Sequence, residues 1–328
     1  MDSKQLEVAG YFLHFSLASY GIVIVNYFGY GNGILKDLFR SSPNKKLAME
    51  HCKIPKEHML VWDFGHWELF RPNFFICWDE RTQAIVLSVR GTLSMYESVA
   101  DVVCDYAPFK GGLAHKGVLR MALWLEENML PKIKEFIKQY NAKSLYLTGH
   151  SLGAAAVSVF RMLLSDHVLS WDSDFEIKTI CFATAASVSA NLCHQYESDI
   201  TVYINEQDII PRLSFGSLKD FQSLIMTASS MLTSPAPIDE KLEAISQKHQ
   251  ELLKSDLHPK LYAPGKIYFM YKTSRYGIRK TQEPHYVCEE SEAEHFSDCK
   301  FTEKALFHHF LDKYDNSLRK VSLFNFYI

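Results

Sequence analysis

The stretch Leu145-Tyr146-Leu147-Thr148-Gly149-His150-Ser151-Leu152-Gly153-Ala154-Ala155-Ala156 constrains the fold more tightly than any other part of the chain. Residues 144–147 read as a short buried strand. Residues 152–164 are rich in Ala and Leu, with no Gly or Pro after Gly153, and read as a helix. Between them lies Gly-X-Ser-X-Gly. A strand that becomes a helix in so few residues forces the central residue into a strained conformation. Glycines at 149 and 153 remove the Cβ atoms that would collide across the turn. Ser151 is left at the helix N-terminus, where amide N–H groups and the helix dipole favour negative charge. The pattern predicts a serine hydroxyl presented for nucleophilic chemistry rather than a helix cap.

The flanking segments extend this unit. Residues 74–78 and 84–89 are apolar runs joined by the polar turn Asp79-Glu80-Arg81-Thr82-Gln83, a strand pair. Further strands are expected at 179–183, 200–204 and 267–271, the last of them final. A long amphipathic helix is expected over 117–140, broken or kinked at Pro131. Strands alternating with helices imply an α/β fold whose mainly parallel central sheet is covered by helices. Residues 8–35 contain no Lys, Arg, Asp or Glu, yet glycines and polar residues break the run too often for a membrane span. A core-packed helix at 6–20 followed by a glycine-rich turn fits better, and 43–55 reads as a polar surface connection. Residues 223–233 are rich in Met and Ser, 234–237 form a Pro-containing linker, and 239–254 a charged helix. The chain thus reads as one domain over 1–328, with a helical extension at 1–69 and a flap insertion at 221–264.

With 47% hydrophobic and 22% charged residues the chain is globular, and a net charge of -3 gives no electrostatic reason to expect nucleic acid. Seven scattered cysteines and the absence of a basic, then apolar start point to reduced thiols in a cytoplasmic setting.

A serine hydroxyl needs a base, and the base needs an orienting acid. Asp208, just past the strand at 200–204, suits the acid, with Glu206 its neighbour and rival. The base should follow the last strand. His309, at a loop-to-helix junction, and His308 beside it are the two leading choices. Oxyanion donors are expected from the amide of Leu152 and from the loop Arg90-Gly91-Thr92, with Thr92 the candidate. The set His285, Cys288, His295 and Cys299 is too irregularly spaced to predict a metal site.

These residues together resemble the class 3 lipase family, and in particular the catalytic domain of diacylglycerol lipases. The resemblance rests on Val89-Arg90-Gly91-Thr92-Leu93-Ser94, Ala100-Asp101, His115-Lys116-Gly117, the serine motif, Asp208-Ile209-Ile210-Pro211-Arg212-Leu213, Leu261-Tyr262-Ala263-Pro264-Gly265-Lys266-Ile267 and Leu306-Phe307-His308-His309. It implies an α/β-hydrolase fold and hydrolysis of glycerolipid acyl esters, with Ser151, Asp208 and His309 as the catalytic set. The family motif carries an acidic residue where this chain has His308. The implied partner is a glycerolipid substrate at a membrane or lipid-droplet surface, reached by peripheral attachment. No cofactor is expected. Calcium enters by the resemblance alone, since no ligand set is recognisable. With so small a net charge, attachment would rest on apolar side chains. Co-sedimentation with liposomes should therefore change little between about 50 and 500 mM salt, a range over which screening is otherwise obvious; binding that collapses in salt would contradict this.

Overall fold

The computed structural model describes residues 2–325 apart from 40, 66, 67, 69, 93–104, 169–172, 256 and 274–284. The motif elements Leu93-Ser94 and Ala100-Asp101 therefore lie outside the described residues. The strands are β1 (Met59–Asp63), β2 (Phe74–Asp79), β3 (Ala84–Val89), the hairpin β4 (Tyr106–Phe109) and β5 (Gly112–His115), β6 (Ser144–His150), β7 (Glu176–Phe182), β8 (Ile200–Asn205), β9 (Lys266–Lys272) and β10 (Tyr286–Ser291). Eight of them form one sheet, in the order β1-β2-β3-β6-β7-β8-β9-β10. From β3 through β9 neighbours run parallel, while β1, β2 and β10 are antiparallel additions. Every residue of β2, β3 and β6 is buried, as a parallel centre covered on both faces requires. This is the α/β-hydrolase architecture.

The two-residue period of the strands divides the core. Phe74, Ile76 and Trp78 join one cluster, Phe75 and Cys77 the other. The N-terminal segment forms α1 (Ser3–Ala18), α2 (Gly21–Tyr27), α3 (Ile34–Leu38) and α4 (Pro43–His51). The first face is covered by α5 (Lys116–Tyr140) and α6 (Leu152–Leu164). The second is covered by α1, by α4 and by the last helix, which follows α7 (Ala190–Gln195), α8 (Phe215–Thr233) and α9 (Ile238–Lys254) as α10 (Leu311–Asn325). On that second face Phe12 stacks on Tyr146 of β6 with ring centroids 4.1 Å apart. Buried polar contacts fix the register of α1: Ser16 Oγ lies 2.9 Å from Thr148 Oγ1, and Ser88 Oγ donates to the Phe15 carbonyl at 3.0 Å. The segment read as an extension thus lays its first helix directly beneath the nucleophile strand.

Several local expectations are corrected. Residues 21–27 are helical rather than a turn, because Asn44 of α4 accepts the Ile22 N–H at 2.9 Å and caps the helix from outside it. The polar stretch after residue 43 is likewise helical over Pro43–His51, with proline preorganised at the first turn and Leu47 and Ala48 buried. α5 runs on through Pro131. Both Pro131 and Glu127, whose carbonyl loses its partner, are exposed, so water can satisfy the freed group. A further strand, β10, follows the one expected to be last. Glu289 and Glu290 look like loop residues in sequence but suit an edge strand that must repel unwanted pairing. The β4–β5 hairpin turns on Lys110 and Gly111, both at positive φ, as two-residue hairpin loops require.

The 221–264 region holds most of α8 and all of α9. α8 is held at its base by a Ser214–Ser217 capping box and by the 2.8 Å ion pair of Lys260 with Asp220. Farther out Ile225, Met226, Leu232, Ile238 and Leu242 are exposed. Among the described residues no helix is long and apolar enough to cross a membrane.

If α1 belongs to the core, Phe12→Ala should destabilise the protein by about 3–5 kcal/mol in urea titration, the usual loss for a fully buried Phe. A loss under about 1 kcal/mol would mark α1 as detachable.

Candidate active site

Ser151 joins β6 to α6 with φ 60° and ψ −126°, a conformation that costs of order 1–3 kcal/mol for a residue with a side chain. The surroundings hold it there. Its N–H donates to the Phe182 carbonyl at 3.0 Å, and its carbonyl accepts from the Ala155 N–H at 3.1 Å. The glycines are required by close backbone approach. A Cβ on Gly149 would lie 2.8 Å from the Ala154 nitrogen, and one on Gly153 would lie 2.3 Å from the Val89 carbonyl oxygen. The result is a serine side chain at the tip, at the N-terminus of a buried helix.

The chain brings the other candidates to it from the ends of later strands. His309 Nε2 lies 3.0 Å from Ser151 Oγ, and His309 Nδ1 lies 3.1 and 3.0 Å from the two carboxylate oxygens of Asp208. All three side chains are buried, Asp208 completely. A buried carboxylate needs its lone pairs filled. Asp208 Oδ1 accepts the Ile210 N–H at 2.9 Å, and Oδ2 accepts the Tyr314 hydroxyl at 2.7 Å. That hydroxyl accepts the Asn205 N–H at 3.1 Å. Burial, and then the Asp208 charge, push the Tyr314 phenol well above its ordinary range, so it stays a donor.

The rivals point elsewhere. His308 Nδ1 accepts the Gln207 N–H at 3.1 Å, and burial shifts this ring downward. Glu206 faces Tyr286. The amide of Leu152 directly follows Ser151, and the Gly91-Thr92 backbone is packed onto it, since a Cβ on Gly91 would lie 3.1 Å from Ser151 Cβ. Among the described residues no group of three or more His, Cys, Asp or Glu could hold a metal ion, and His285, Cys288, His295 and Cys299 do not converge.

Sequence reasoning missed Tyr314 and Asn205. Tyr314 lies with Leu311, Leu318 and Val321 on the apolar stripe of α10, which reads as plain core. Only the need of a buried acid for a further donor could have singled it out.

The arrangement can move a proton from Ser151 Oγ to His309 Nε2 while Asp208 holds the other ring nitrogen. Reaction with a fluorophosphonate probe should therefore slow by at least about 10³-fold in His309→Ala, as for a residue acting as one unit with the nucleophile, and far less in His308→Ala. The reverse order would reassign the base.

Residues 86–217 match the model of the class 3 lipase family. Diacylglycerol lipase-beta of Mus musculus is 23% identical over 179 residues, covering 52% of this chain and 26% of that protein. The chloroplastic phospholipase A1 PLIP1 of Arabidopsis thaliana is 25% identical over 207 residues, covering 60% and 29%. The chain thus spans only about a quarter of the curated relatives it matches. In fold it is similar to the Rhizomucor miehei lipase in its propeptide complex, with a TM-score of 0.56 at 16% identity over 95% of this chain and 82% of that one. The chain is therefore similar to the class 3 lipases across the segment that carries Ser151 and Asp208, and to diacylglycerol lipases over about half its length.

Proposed function

We propose that this chain is a serine ester hydrolase of glycerolipids that removes an acyl group, by preference from the outer sn-1 position of diacylglycerol. The observation that carries the reading is the continuous line Ser151 Oγ, His309 Nε2, His309 Nδ1, Asp208, with each link at 3.0–3.1 Å. In this mechanism His309 takes the Ser151 proton as Oγ attacks the ester carbonyl. The tetrahedral oxyanion is met by the amides of Leu152 and Thr92, a donor pair of the kind worth about 3–4 kcal/mol each. His309 then protonates the departing glycerol oxygen, leaving an acyl-enzyme. Water, deprotonated by the same imidazole, releases the fatty acid and restores Ser151. A completed donor–acceptor line of this kind speaks against a non-catalytic scaffold.

Diacylglycerol is favoured by the similarity to diacylglycerol lipases. A phospholipase A1 is the second reading, on the comparable similarity to the Arabidopsis phospholipase; a monoacylglycerol lipase is a third variant of the same chemistry. Such substrates reside in a bilayer or lipid droplet, and the exposed apolar side chains of the α8–α9 region and of α2–α3, Tyr27, Leu35, Leu38 and Phe39 among them, suit peripheral attachment from the cytoplasm. The α8–α9 region would act as the flap.

Equal mixed vesicles of diacylglycerol and phosphatidylcholine, each carrying a distinct sn-1 acyl label, test this. The diacylglycerol label should be released first, and Ser151→Ala should abolish release to below about 10⁻³ of the wild-type rate. Faster release from phosphatidylcholine would make the protein a phospholipase A1. Release by a folded Ser151→Ala variant would remove the serine mechanism altogether.

A further inference from the structure

Resting on that reading, we propose that Tyr20 is a positioning residue of the active site: its hydroxyl ties the loop that bears His309, the nucleophile turn and the Gly91-Thr92 loop to the end of α1.

The contacts run through His150, the residue before the nucleophile. His150 Nε2 lies 2.8 Å from the main-chain carbonyl of His309, and His150 Nδ1 lies 2.7 Å from the Tyr20 hydroxyl. A carbonyl can only accept, so Nε2 must carry the proton. Nδ1 is then bare, and the Tyr20 O–H must donate to it. Both tautomer and hydroxyl direction follow from one acceptor. The imidazole is buried, and that burial, with His309 beside it, holds it well below its ordinary range, so the neutral form this pattern needs is the stable one.

The same hydroxyl oxygen meets the Gly91-Thr92 loop. A Cβ on Gly91 would sit 2.4 Å from it. Tyr20 therefore meets the Gly91 backbone directly and the His309 backbone through the ring of His150. The segments at 91 and 150 continue the paired strands β3 and β6, whereas the loop at 309 belongs to neither. Tyr20 itself is fixed because the end of α1 is locked to β3 and β6 by the Ser88–Phe15 and Ser16–Thr148 contacts, all among buried groups. Placement errors near 1 Å in such a site cost up to about 10²-fold in rate. A tyrosine serving only to fill space would need no polar line to the backbone of the base.

Tyr20→Phe keeps the ring and deletes the tie. On a soluble p-nitrophenyl ester, kcat should fall about 10-fold with KM within about twofold, and the fluorophosphonate labelling rate should fall by the same factor. Phe12→Leu, which trims buried volume while the Ser16–Thr148 and Ser88–Phe15 contacts keep α1 in register, should lower the melting temperature and leave kcat in place. If Tyr20→Phe does not fold, Tyr20→Phe/His150→Leu removes both buried polar partners together and carries the same expectation. A folded variant of either kind with wild-type kcat overturns the proposal. ¹⁵N NMR of histidine-labelled protein gives a readout without turnover. Wild-type His150 should show the Nε2–H tautomer, and Tyr20→Phe should displace the His309 ring signals. Displacement in a protein inert to esters would sink the hydrolase reading and keep the positioning role; unchanged His309 signals would sink the positioning role in an active enzyme.

Discussion

The backbone at Ser151 is the constraint on which the rest of the structure depends. A residue with a side chain held at φ 60° and ψ −126° persists only if its surroundings over-determine it. Here they do so from three directions. β7 receives the Ser151 N–H at Phe182, α6 starts at once and bonds back to the Ser151 carbonyl, and β3 approaches Gly153 so closely that no Cβ could intervene. The parallel order β3-β6-β7 sets all three in place. The central sheet thus holds the strain as well as carrying the serine.

The two faces of the sheet then divide the work. α5 and α6 bury one face with largely aliphatic side chains. The other face is more aromatic and more polar, and α1 and α10 deliver hydroxyls through it. Tyr314 reaches Asp208 from α10, and Tyr20 reaches His150 from the end of α1. α1 lies over β3, β6 and β7 and α10 over β8 to β10, so packing and site geometry are one problem. A change that shifted α1 would loosen the core and the nucleophile turn together.

This division explains what could be read in the sequence. The elbow, the buried strands at 74–89 and the placement of acid and base on later loops are local patterns of spacing and periodicity, and they are legible. The helix at 21–27 was not, because its cap comes from Asn44 on another helix. The edge strand β10 was not, because its glutamates carry the marks of a loop. His308 and His309 are identical in type and adjacent. Only the fold turns one toward Gln207 and the other toward Ser151. Tyr20 and Tyr314 were hidden for the opposite reason: at helical spacing an aromatic residue looks like core, which each of them also is.

The hydroxyls matter because of where charge moves. Proton transfer from Ser151 would create an imidazolium at His309, with the ring of His150 only 4.6 Å away between centroids. A second cation there would oppose the step at short range in a site of low dielectric. His150 avoids this, since burial keeps it neutral and both of its nitrogens are spent, one on Tyr20 and one on the His309 carbonyl. On the other side of His309, Asp208 has its oxygens filled by an amide, a phenol and the imidazole itself, so the negative charge has nowhere to turn but toward the ring. The phenol cannot share that charge by ionising, since its own burial holds its proton in place. Of the titratable groups in contact with His309, one is arranged to be negative and the other neutral. That asymmetry gives the imidazole a single direction in which to gain a proton, from Ser151.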